Sequence, residues 1–201
     1  MQYFKSTEEK TDFEQKKIKE YGFQKLKELT FLGKQVSIEL LLECLAHPYQ
    51  FIRIEAIRNV KDFCRKDLIW VFAMALNDNC DYVVEESSDA LAKINSDEAL
   101  QILSNAFFED SIERPHHIAS AISQFGRRGY DILLKGTEGS SPNVRYYSAK
   151  LLGSTGFESA KNILEKIADE DNEKTSFGGL VSTAAKKGLK TLAKILENEK
   201  I

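Results

Sequence analysis

Residues 38–60 read IELLLECLAHPYQFIRIEAIRNV, and two apolar rhythms follow one another within that stretch. Ile38, Leu41, Leu42 and Leu45 stand at offsets 0, 3, 4 and 7, the spacing that lines one face of an α-helix. After the turn HPYQF, Ile52, Ala56, Ile57, Val60 and Phe63 stand at offsets 0, 4, 5, 8 and 11. The pattern predicts two helices joined by a short turn, each with one stripe to bury.

Outward from this stretch both rhythms return at intervals of about 31 residues. The first reappears as Ile69, Phe72, Ala73 and Leu76, then Leu100, Leu103, Ser104 and Phe107. Tyr130, Leu133, Leu134 and Thr137 follow, and Ala160, Ile163, Leu164 and Ile167 close the series. The second reappears as Val83, Ser87, Ser88, Leu91 and Ile94, then Arg114, Ile118, Ala119, Ile122 and Phe125. Val144, Ser148, Ala149, Leu152 and Thr155 come next, then Val181, Ala185, Lys186, Leu189 and Leu192. Two stripes of different phase repeating together are the mark of stacked helical hairpins. Ten helices in five pairs are expected between about residues 36 and 196, without β-sheet, and with Leu91 and Leu152 buried. The turns NDNCDY, EDSIERP and EGSSPN supply turn formers and helix N-caps between the two helices of a pair. The fifth internal turn, DEDNEKTSFGG (169–179), is longer and mostly polar, so it is expected to be mobile.

Before residue 35 the pattern decays. Tyr21, Leu26, Leu29 and Leu32 match offsets 0, 5, 8 and 11 of the second stripe, but TEEKTDFEQKKIKE is polar apart from Phe13 and Ile18. A terminal repeat must turn a solvated face outwards, so residues 1–35 read as an N-terminal helical cap.

Composition narrows the function. The 201 residues are 42% hydrophobic and 29% charged, an ordinary globular mixture, with a formal charge of −3. Residues 1–100 hold 14 Lys/Arg against 18 Asp/Glu and residues 101–201 hold 14 against 13, so neither half is the basic footprint of a nucleic-acid binder, and nucleic acid is not an expected partner. No apolar run reaches the roughly 18–20 residues of a membrane span. The beginning of the chain lacks the apolar core of a secretory signal. Cys44, Cys64 and Cys80 are odd in number and form no CxxC pair, which fits structural thiols in a reducing cytoplasm.

Chemistry is sparse. No HExxH, phosphate-loop, GxGxxG or GxSxG motif is present. His116 and His117 are adjacent, so on a helix they diverge by about 100° and do not chelate one ion together; they read as exposed helix histidines. His47, before Pro48, reads as a helix-end cap. Glu85, Glu86 and Asp89 share one helical turn and read as a solvated or partner-facing acidic patch. Neither a metal nor a cofactor is expected.

The segments IRIEAIRNV (52–60) and VRYYSAKLLGSTG (144–156) resemble the HEAT-like repeats of phycobilin lyases, with a valine–arginine pair, two small residues and a leucine pair. Val144-Arg145, Ser148-Ala149 and Leu151-Leu152 match well, Ile52-Arg53 and Ala56 match in part, and Arg114-Pro115 departs. The resemblance covers about residues 36–195 and implies an all-α, right-handed solenoid of about five hairpins, with 36–201 one continuous domain. It speaks for the fold and hardly for function, because the matching positions are packing positions. Enzymes on this scaffold, chromophore lyases and alkyl-base DNA glycosylases, are the alternative class, but no bilin site or basic aromatic groove is apparent. The expected function is non-catalytic binding of a protein partner on the concave face of the second helices, as adaptor, scaffold or inhibitor. Facing away from the stripes, Arg58, Arg65, Glu85, Asp89, His116, Arg127, Tyr146 and Lys150 are the expected contact residues.

Overall fold

A computed structural model describes residues 7–109 and 115–198, without the side chains of 7–11 and 13. Arg114 and the side chain of Phe13 therefore lie outside the described residues. The described chain is helical throughout. Helix α1 spans Thr7–Leu32, and ten helices follow: α2 (Ile38–Leu45), α3 (Gln50–Lys61), α4 (Ile69–Ala75), α5 (Asp81–Ile94), α6 (Asp97–Phe108), α7 (Pro115–Ser123), α8 (Arg127–Gly136), α9 (Pro142–Leu152), α10 (Ala160–Glu170) and α11 (Val181–Asn198). Among the described residues the extended pairing is a single isolated bridge, Lys174 to Leu180.

Local chemistry sets the helix ends. The Ser37 and Ser96 hydroxyls accept from the Leu40 and Ala99 N–H groups, capping α2 and α6, and Pro142 opens α9 where its missing N–H is harmless. Asn95, at φ 51°, takes the left-handed conformation that lets α5 hand over directly to α6.

The second-helix stripe is buried almost throughout. Leu91 and Leu152 are both 0% exposed, and Ala56, Ser87, Ile118, Ser148 and Ala185 occupy the tight offset-4 position in the interior. The fifth repeat departs: Lys186 points to solvent and Ala184 takes its place inside. In the first helices of the first four pairs the buried face is rotated from the expected stripe, while Leu164 in α10 is fully buried as expected. Leu42, Ala73, Ser104 and Leu134 at offset 4 are only half-buried, while Leu40 and Val71 are buried.

Contacts divide the chain into two compact units, Met1–Ala90 and Leu91–Ile201, with the division inside α5. In the first unit α1 packs on α2 and α3. It buries Leu26 and Leu29 and seats the His47 ring against Gly22, where a Cβ would lie 2.5 Å from Nε2. His47 is buried; Nδ1 accepts from the Tyr49 N–H at 3.2 Å, so Nε2 carries the proton and donates to the Ile18 carbonyl at 2.9 Å. It joins two helices rather than capping one end.

In the second unit α7 touches α6, α8 and α9, and α11 lies against both α9 and α10. The α9–α11 crossing is main chain on main chain: a Cβ on Gly153 would sit 2.0 Å from the Gly188 carbonyl oxygen, and one on Gly188 would sit 2.4 Å from that of Ala149. Glycine at both places is what permits this approach.

One device occurs in both units. Arg53 Nε and Nη2 donate to the two carboxylate oxygens of Asp78, each at 2.8 Å, while Nη1 donates to the His47 and Pro48 carbonyls. Arg145 repeats the plan with Asp171 and with the Gly139 and Ser140 carbonyls. Each arginine thus ties the turn before its own helix to the turn one repeat later. The forked guanidinium is suited to serving several acceptors at once.

Residues 171–180 correct the expectation of a mobile turn. Val181 N donates to the Glu173 carbonyl and Ser182 N to that of Asp171, while Thr175 and Gly179 bond one another. Asn143 holds Ser176, and Arg145 holds Asp171 and Glu173. The turn is long because it folds back on α9, which gives its polar groups protein partners in place of water.

Candidate functional site

Helix geometry makes adjacent side chains diverge, and this splits the expected acidic patch on α5. Glu85 stays exposed, but Glu86 turns inward and is buried, accepting from Arg58 Nε at 2.5 Å and Lys61 Nζ at 2.6 Å. Asp89 accepts from Lys61 at 2.7 Å, and Glu55 accepts from Arg58. Hydrogen bonding to Glu86 and Glu55 holds the Arg58 guanidinium above its ordinary pKa. Burial works against the Lys61 ammonium, but its bonds to Asp89 and Glu86 outweigh that and raise it. Four of these side chains, Arg58, Lys61, Glu86 and Asp89, therefore belong to an internal ion network between α3 and α5. Arg58 and Asp89 were expected to face a partner; both are engaged by ion pairs within the fold, though Arg58 keeps part of its guanidinium in solvent.

Two other expected residues lie off the second helices. Helix α3 ends at Lys61, so Arg65 falls in the next turn, where Nη1 donates to the Val36 carbonyl at 2.5 Å and the guanidinium pairs with Asp67. That pairing lowers the Asp67 carboxyl below its usual range. Gly126, at φ 59°, turns the chain so that Arg127 opens α8, its guanidinium over the Tyr130 ring at 4.6 Å and paired with Asp131.

Tyr146 is the clearest correction. It is 9% exposed and packs against Val181 and Ala184, with the Phe177 ring at a right angle 5.2 Å away. The folded-back turn covers it, an outcome that stripe geometry taken alone does not contain. Its neighbour Tyr147 is half-buried, and burial, with the adjacent Tyr146, raises its hydroxyl pKa. His116 and His117 are also half-buried rather than exposed, their rings 3.8 Å apart, with His116 5.8 Å from Tyr147.

Lys150 is exposed as expected, and it has company that the sequence stripe only hinted at. Among the described residues the second helices of this unit, α7, α9 and α11, carry six cations (Arg145, Lys150, Lys186, Lys187, Lys190, Lys194) and one acid, Glu197. Arg145 is occupied by Asp171; the five lysines are exposed and form no ion pair within the described residues. Lys187, Lys190 and Lys194, at i, i+3 and i+7, project from one face of α11. Lys150 follows Ala149 and Lys187 precedes Gly188, so these two flank the close crossing of the helices. Of the nearby acids, Glu165 and Glu170 pair with Lys161 and Lys166 on their own helix and Asp171 and Glu173 with Arg145, while Glu197, three residues past Lys194, forms no ion pair within the described residues.

Groups suited to covalent or metal chemistry are not gathered anywhere among the described residues. No cluster of three or more His, Cys, Asp or Glu is placed to hold a metal ion. Cys44 and Cys80 are buried, and burial pushes the Cys44 thiol up to about 11, away from thiolate reactivity. No described helix is long and apolar enough to cross a membrane. Compared with known proteins, the chain matches no family model, and no curated protein matches its sequence.

Proposed function

We propose that the chain is a non-catalytic protein-interaction module, a right-handed HEAT-like solenoid of five hairpins capped by α1, that acts as an adaptor, scaffold or inhibitor. The two-phase repeat of about 31 residues and the buried second-helix stripe support the solenoid reading. The partner lies along the exposed faces of the second helices, which on such a scaffold form the concave side. The observation that carries this reading is the row of lysines on α9 and α11 that form no ion pair within the described residues, and whose identity packing does not require. Glu85 and His116 are further contacts on the same kind of face; Arg58, Asp89, Arg65 and Arg127 contribute only what their internal partners leave free.

Site-specific photo-crosslinking in native lysate tests this directly. A crosslinker at position 150 or 187 is expected to trap one defined protein, and the same group at position 161, on α10, is not. Trapping only from position 74 or another site on the first helices would move the interface off this face and overturn the assignment.

A further inference from the structure

We infer, resting on the interaction reading above, that the segment held on this face is acidic: a stretch of protein chain with several Asp or Glu residues, laid along α11 over Lys187, Lys190 and Lys194 and reaching Lys150 on α9. Three observations carry it. First, the cations form no ion pair within the described residues although acids are plentiful in the chain. Elsewhere such groups find partners, as in the network of Arg58, Lys61, Glu86 and Asp89. Here the local carboxylates of Glu165, Glu170, Asp171 and Glu173 are bound to other cations. Like charges at helical spacings of three and four repel, so the fold carries an unfavourable arrangement that an acidic ligand would relieve.

Second, the spacing is preset. Main-chain contact at Gly153 and Gly188 fixes α9 against α11, and the turn bonded to Asn143 and Arg145 fixes the start of α11. A partner therefore meets two helix backbones already fixed in their relative position, so that part of the ordering cost falls on the lysine side chains alone.

Third, the row is short and bounded. Seven residues of helix from Lys187 to Lys194 span about 10 Å. Past its C-terminal end stands Glu197, exposed and three residues beyond Lys194 on the same helix, with no ion pair within the described residues. A continuous polyphosphate running past the lysines would meet that charge, whereas a protein segment can end its acidic stretch there. Arginine, whose fork suits phosphate, is missing from the row; the one nearby, Arg145, is committed to Asp171.

The test is fluorescence anisotropy with the full chain and three labelled probes: a short glutamate-rich peptide, its glutamine counterpart, and a single-stranded oligonucleotide of matched charge. The glutamate peptide is expected to bind, more weakly as salt rises, and the triple variant K187E/K190E/K194E to lose at least about tenfold in affinity with an unchanged helical CD spectrum. The milder triple Lys→Gln variant, which introduces no repulsion, should lose affinity in the same direction, and K161E/K166E on α10 should bind as the wild type does. Equal binding of the glutamine peptide, or lysine-dependent binding of the oligonucleotide tighter than the glutamate peptide, overturns the inference. If no peptide binds while the triple Lys→Glu variant loses the protein that a crosslinker at position 150 traps in the wild type, the acidic chemistry falls and the interaction reading stands. If no peptide binds and the variant retains that crosslink unchanged, both fall.

Discussion

In the Met1–Ala90 unit, Arg58, Lys61, Glu86 and Asp89 satisfy one another across two helices, while large apolar side chains are left in solvent. Phe23 and Phe51 lie ring to ring at 5.9 Å, Phe31 is 89% exposed, and Tyr82, Trp70 and Met74 are also exposed. The Leu91–Ile201 unit is the reverse. Phe177 is its one exposed large apolar residue among those described, and its charges are the ones left open, in the lysines of α9 and α11. The same repeat thus carries two different surfaces, because only the buried stripe is shared. The exposed offsets are free to vary, and in one unit they close a polar network while in the other they collect one sign of charge. A surface with unpaired cations acts at a distance and depends on salt; one with exposed aromatics acts on contact.

The comparison can be broken most severely at what the units share. Arg53→Met and Arg145→Met each leave a nearly buried carboxylate with one backbone N–H (from Cys80 or Glu173) and no countercharge, at a cost of about 3–5 kcal/mol. Hydrogen exchange should show protection lost mainly in α1–α4 for the first variant and in α9–α11 for the second. Uniform loss in both cases would mean that the two units open as one. Leu152→Ala, at a fully buried position, should cost about 2–5 kcal/mol through lost burial and a cavity, read as a lower denaturation midpoint.

Charge reversal separates the units more finely. Arg58→Glu sets an acid against Glu86 and Glu55 and should cost about 1–2 kcal/mol, moderated by the solvent around Arg58. Lys187→Glu should stay within about 0.5 kcal/mol, or stabilise slightly by relieving repulsion with its neighbours. Equal effects in thermal melts would show that the two surfaces do not differ as described.

The smallest effect concerns α1. Glu43 hydrogen-bonds Lys25, and its pKa is lowered by that bond. A carboxyl with a depressed folded pKa contributes stability above its ordinary value, about 4.3, and loses it as pH falls through the lowered one. Wild type and Glu43→Gln should therefore differ slightly in melting temperature at pH 7 and converge as the pH falls below that lowered value.

The repeat and the burial of Leu91 and Leu152 were legible in the sequence because packing positions recur at a fixed interval. The interior of each surface was not. Glu86 belongs inside because α3 supplies Arg58 and Lys61 opposite it, a tertiary fact that helix periodicity does not contain. Tyr146 is covered by a turn whose polar composition suggested mobility, and its hydrogen bonds come from Asn143 and Arg145, some 30 residues earlier. A signal for that turn did exist: Arg53 and Arg145 hold the same place in the repeat, and Asp78 and Asp171 follow them at nearly the same interval. The lysines of α11 were visible one by one, but only the location of the surrounding acids shows them to be unpaired.

The contact between Gly153 and Gly188 has a mechanical side. Where helices meet through side chains, a load is absorbed by rotamer changes, and the surface yields. Main chain pressed on main chain has no such slack, since moving it means distorting hydrogen-bonded backbone. The crossing of α9 and α11 is thus a stiff joint set between Lys150 and Lys187. Displacement of one helix backbone there is therefore carried to the other, while the lysine side chains beyond it keep their own freedom.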